Sequence, residues 1–230
     1  FKIADDIGAI VLQPEVFAAD IMALNSAAQT KAFFEDTTKK SQFKKWVTVG
    51  YNGASFAGYL EGNGVEIYGL YQLATAYAGL FPIVDAGASI HNIAVKNSYI
   101  TSSTTSYFVG GIFGYSTGST SYGAKASGLI WLDGCVVANC YMRSKNTNTI
   151  GSGVLFGRPH NDSVVVDNCM VYGNDAEHLG RRLKHTVKIG KLVLRFNKHG
   201  ALCVTHAEVA KGGGAKTQLL GQHILKVTAV

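Results

Sequence analysis

Proline is scarce in this chain, with 3 in 230 residues, and charged residues make up only 16% of it. With 47% of residues hydrophobic, so little charge excludes a self-repelling disordered chain. Long apolar runs are missing as well. No stretch approaches the roughly 18 residues of a spanning helix, so no membrane span is expected. The chain opens on Phe1 without a basic start, an apolar core and a small-residue cleavage site. The expectation is therefore a processed product or an internal segment. Cysteine is sparse. Cys135, Cys140, Cys169 and Cys203 form no C-x-x-C and lack zinc-like spacing, so no metal is expected. Also absent are a phosphate-binding Walker loop, a dinucleotide Gly pattern, His-Glu-x-x-His and a calcium loop, and no cofactor is expected.

What is present is glycine, at 27 residues, with 11 Tyr and 11 Phe, a balance that favours a β-rich, turn-rich fold. One pattern recurs: a β-branched residue, then Asn two places on, then a small apolar residue. Its copies are Ile90-His91-Asn92-Ile93, Val137-Ala138-Asn139-Cys140 and Val166-Asp167-Asn168-Cys169, with a degenerate Ile67-Tyr68-Gly69-Leu70. Between them lie Gly79-Leu80-Phe81, Gly110-Gly111-Ile112-Phe113-Gly114 and Gly153-Val154-Leu155-Phe156-Gly157. If the copies are equivalent, Asn92, Asn139 and Asn168 stack, each closing a bend with its side chain and passing a hydrogen bond to the next. Cys140 and Cys169 then share one position and read as small buried hydrophobes, with a disulfide between them as the alternative. Gly serves where chain segments approach too closely for a Cβ.

The pairing of a "GLF" or "GGIFG" segment with "I-x-N" or "V-x-N-C" resembles the GLUG-type repeats of bacterial surface proteins. Phe56-Ala57-Gly58-Tyr59-Leu60-Glu61-Gly62-Asn63-Gly64 is similar to the opening seen before such repeats. The resemblance covers residues 50 to 175 and implies an all-β fold, a short right-handed parallel β-helix of the pectin-lyase-like kind. Two departures stand out: Gly69 occupies an Asn position, and Gly128-Leu129-Ile130 is only a partial "GLF".

Three parts follow: an N-terminal segment (1–49), the repeats (50–175) and a basic C-terminal segment (176–230). In the first, Phe17, Ile21, Leu24 and Ala28 recur at helical spacing between Pro14 and Phe34, predicting one helix that caps the open end of the β-helix or makes assembly contacts. Lys39 to Trp46 is a basic run with interleaved aromatics, read as a connector or a nucleic-acid contact. The last part, from His178, holds ten Lys or Arg against one acid, Glu208, a net +9. The first 177 residues hold eleven against fourteen, a net −3, and the two together give the +6 of the chain. Short β-strands are expected around 187–196, 201–209 and 219–230, with Arg181, Arg182, Lys184, Lys188, Lys191 and Arg195 as the candidate contacts for a polyanion or nucleic acid.

Polar loops carrying Tyr107, Tyr115 and Tyr122 offer rigid rings with hydroxyl tips, candidates for holding a surface glycan or a protein partner. Catalysis needs more. A glycosidase requires two acids about the scissile bond, and a lyase a base with a cation. Only Arg158-Pro159-His160-Asn161-Asp162 gathers acid, base and cation in one turn, so Arg158, His160 and Asp162 are the weak catalytic candidates. The expected function is attachment or assembly by a non-enzymatic surface or virion module, bacterial or phage, as a homo-oligomer or part of a larger assembly. The competing expectations are a polysaccharide lyase or hydrolase, and polyanion binding by residues 178–230. The location expected is extracellular, on a cell surface or in a virion.

Overall fold

The computed structural model describes residues 1–47, 54–104, 107–117, 129–145, 153–159, 163–178, 181–182, 193–196 and 202–206. Its strands form three sheets. The first takes β1 (Ala9–Val11), β2 (Tyr59–Tyr68), β5 (Ser89–Lys96), β8 (Leu129–Asp133), β9 (Val136–Ala138), β12 (Ser163–Asp167), β13 (Cys169–Tyr172), β16 (Val193–Phe196) and β17 (Leu202–His206). A second sheet contains β3 (Tyr71–Ala74), β6 (Tyr99–Ser102), β10 (Tyr141–Ser144), β14 (Asp175–His178) and β15 (Arg181–Arg182). The third has β4 (Phe81–Val84), β7 (Phe113–Ser116) and β11 (Phe156–Pro159). Pairing is parallel except where β15, β16 and β17 join, which is antiparallel.

The short right-handed parallel β-helix with a helical end cap is therefore corrected. Three separate sheets stay open, and the helical content is small. The single helix expected over 14–34 is in fact a 3-10 turn (Glu15–Phe17), α1 (Ala18–Ala23) and α2 (Ala27–Glu35). Leu24 turns extended, and Ser26 caps α2 by accepting from the Gln29 amide, while the Gln29 side chain accepts from the Asn25 amide. The helices do not lie across an end. Phe34 stacks on Tyr71 at 5.3 Å and leans on Tyr99, within a row that register makes Tyr71, Tyr99 and Tyr141. Asn97 donates to the Ile21 carbonyl and Thr30 to that of Asn139, so the helices cover the flank where the chain bends.

Extended chain covers the sheet edges on the N-terminal side: β1 pairs with β2, the Trp46 amide donates to Tyr71 and the Phe56 amide to Ile83. An open edge would otherwise recruit another chain. Buried Gln13 ties this layer together, donating to the Lys44 and Gly69 carbonyls and accepting from the Lys44 amide. Phe43 and Trp46 of the basic run turn inward, and Lys39 pairs with Asp36 at 2.8 Å.

The main core lies between the sheets: Leu60, Ile90, Leu132 and Val166 share one register row, and Ile67, Val95, Val137 and Val171 another. Their burial removes a continuous apolar surface from water, the largest favourable contribution to such a fold.

Register also divides the expected Asn column in two. Val95 pairs with Val137, so Asn139 follows Asn97; Ile90 pairs with Leu132 and Leu132 with Val166, so Asn92 and Asn168 flank Gly134. Asn92, Asn97, Asn139 and Asn168 all sit near φ +50°, the left-handed region Asn tolerates better than most residues. Cys140 accordingly does not share a row with Cys169, whose neighbour is Cys135. All three are free and buried.

Candidate functional site

The Gly-rich segments bring three stretches of backbone together. Ala78 bridges Val109, and a Cβ on Gly79 would lie 2.7 Å from the Gly110 carbonyl oxygen. Such an approach demands glycine. It also aligns the residues ahead of each glycine, so that Tyr77 lies beside Phe108 with ring centroids 6.0 Å apart and planes within 18°. Tyr115, from β7, stacks on Tyr77 at 4.4 Å and 4°. Tyr107 meets Tyr77 edge-on at 4.7 Å and 87°, and its carbonyl accepts from the Ser144 hydroxyl.

Arg158 comes from β11, where register sets it opposite Tyr115, and its guanidinium carbon is 5.5 Å from the Phe108 ring centre. A cation over a ring face is held by the ring quadrupole. Phe108 is 3% exposed and forms the floor; Tyr77, Tyr107, Tyr115 and Arg158 are half-buried. Burial, followed by the Tyr115 and Tyr107 hydroxyls, pushes the Tyr77 phenol up to about 12, with Arg158 acting the other way. Its hydroxyl is protonated at neutral pH and can donate. The cluster offers ring surface, phenolic donors and one cation, which suits it to holding a ligand.

Of the candidate ligand-binding residues, the structure brings Tyr107 and Tyr115 together; Tyr122 lies outside the described residues. Of the catalytic candidates, Arg158 joins this cluster, while His160 and Asp162 lie outside the described residues. Tyr77 and Phe108 were missed. Each stands two places before a glycine of the recurring segments, Gly79 and Gly110, so aligning those segments would have paired them. Arg181 and Arg182 form β15 against β14, and Arg195 lies in β16. Lys184, Lys188 and Lys191 lie outside the described residues.

The Cys140 and Cys169 thiols are not poised for chemistry: burial pushes Cys140 up to about 12, and the hydrogen bond with Cys135, then burial, raises Cys169. Among the described residues, no group of three or more His, Cys, Asp or Glu could hold a metal ion, and no helix is long and apolar enough to cross a membrane. No protein-family model matches the chain, and no curated protein or solved structure matches it either.

Proposed function

We propose that the chain is an attachment module of a cell surface or virion that holds a glycan against Tyr77, Tyr107, Tyr115 and Arg158. The observation that carries this reading is the stack of Tyr77 on Tyr115 with Arg158 in register beside it. A pyranose presents C–H groups on its face and hydroxyls around its rim. Rings meet the first; phenols and a planar guanidinium, with five N–H donors, meet the second.

A glycan array probed with the intact chain and with Arg158→Gln tests this. Wild type is expected to retain a defined set of glycans that Arg158→Gln loses while its thermal midpoint is kept. Retention of no glycan, or of the same set at the same strength by both proteins, overturns the reading.

A further inference from the structure

Away from the aromatic cluster, the outward face of the first sheet assembles a second group of reactive side chains. Ser89 and His91 are two residues apart on β5 and so point to one face. β8 sets Asp133 opposite His91 and Trp131 opposite Ser89, while β2 sets Tyr59 on the other side of Ser89. Ser89 Oγ lies 2.6 Å from His91 Nε2, and His91 Nδ1 lies 3.6 Å from Asp133 Oδ2. The second Asp133 oxygen accepts from Asn168 Nδ2 at 2.9 Å, which fixes the carboxylate, and the Tyr59 ring packs on His91 at 4.9 Å.

This is the connectivity of a serine nucleophile, its base and the carboxylate that orients the base. At 3.6 Å the Asp133 carboxylate makes no hydrogen bond to Nδ1, but its negative charge favours the tautomer with the proton there, leaving the Nε2 lone pair to accept from the Ser89 hydroxyl. We propose that Ser89 is the nucleophile of an ester-hydrolysing site that acts on small-acyl esters of phenols, ring-bearing alcohols that leave readily. As Oγ bonds to the acyl carbon, its proton passes to His91 Nε2. The ester C–O bond breaks, and His91 returns that proton to the departing alcohol. Water then attacks acyl-Ser89, giving a proton to His91, and the acid leaves as Ser89 recovers its proton. Tyr59, 52% exposed, and Trp131, 40% exposed, flank Ser89 one strand away on either side and supply ring surface for the alcohol.

The same sheet limits the chemistry. The Ser89 amide donates to Gly58 and the Trp131 amide to Ala88, so neither is free to hold a developing oxyanion. Removing even one such donor from an efficient enzyme slows it by about 10²–10³-fold. Esters with good leaving groups are therefore within reach and amides are not.

This site is independent of the glycan reading, and its test shares no residue with that one. The intact chain is incubated with p-nitrophenyl acetate, nitrophenolate release is followed, and digests are mapped by mass spectrometry. The expected result is a burst near one equivalent with acetyl on Ser89, absent in Ser89→Ala. His91→Gln is expected to acylate about 10²-fold more slowly, the contribution of a general base, and Asp133→Asn at least about tenfold more slowly. Circular dichroism matching wild type shows that the variants fold. Acetyl on lysines alone, or a rate unchanged in His91→Gln, overturns the proposal.

Discussion

Replacing Gly110 with alanine adds one methyl group where three stretches of backbone meet. Its Cβ would lie 2.2 Å from the Phe113 carbonyl oxygen, 2.5 Å from the Gly157 nitrogen and 2.6 Å from the Phe156 carbonyl carbon. No flexible side-chain tip stands in the way; the obstacles are peptide groups of β7 and β11, which pair with each other. Relief requires moving those strands apart. Overpacking ordinarily costs about 1–3 kcal/mol, and an obstruction made of backbone belongs at the upper end, about 3 kcal/mol. At about 2–4 °C per kcal/mol for a chain of this size, the thermal midpoint should fall by about 6–12 °C. Gly8→Ala is the control, because nothing lies within 4 Å of its added Cβ. Differential scanning calorimetry of the two variants and wild type reads the effect. Equal midpoints for Gly110→Ala and Gly8→Ala would refute the close approach on which the aromatic cluster is built.

Phe34→Ala removes a fully buried ring between α2 and Tyr71, and should destabilise by about 3–5 kcal/mol in urea unfolding; a loss under about 1 kcal/mol would mean that α2 is not anchored there. Glu66 is pushed up by burial, but bonds from Lys96 and Tyr68 outweigh this and hold its carboxyl below the usual range. A lowered folded value stabilises the protein above the unfolded one, and the gain is lost as pH falls through the folded value. Because Glu66 is 36% exposed, the loss in Glu66→Gln should be at most about 1 kcal/mol at pH 7, shrinking in urea titrations as pH falls below the ordinary carboxylate range and through the folded value; a difference that does not shrink with falling pH contradicts it.

The β-rich character and the need for glycine were legible in composition and in the recurring Gly segments, because both follow from local sterics. Register was not. Asn92 and Asn97 lie five residues apart along one stretch of chain, both in the left-handed conformation, at two successive bends. Each bend asks for the same local pattern: an inward β-branched residue, an outward one, Asn, then an inward small or apolar residue. Val137-Ala138-Asn139-Cys140 therefore matches Ile90-His91-Asn92-Ile93 in type, although its partner in the sheet is Val95-Lys96-Asn97-Ser98. Only the pairing of long strands distinguishes the two bends. The break between α1 and α2 was visible as Ser26 followed three residues later by Gln29, a capping signal overlooked within a helical apolar pattern. The flank position of the helices depends on the tyrosine row of the second sheet, which is distant in sequence and brought together only by register.

Calorimetric titration of the glycan selected on the array is the most direct measure of the attachment proposed at Tyr77, Tyr107, Tyr115 and Arg158. Binding to wild type that weakens at least tenfold, about 1.4 kcal/mol, in Arg158→Gln is the predicted result. Equal affinity in the two proteins would contradict it.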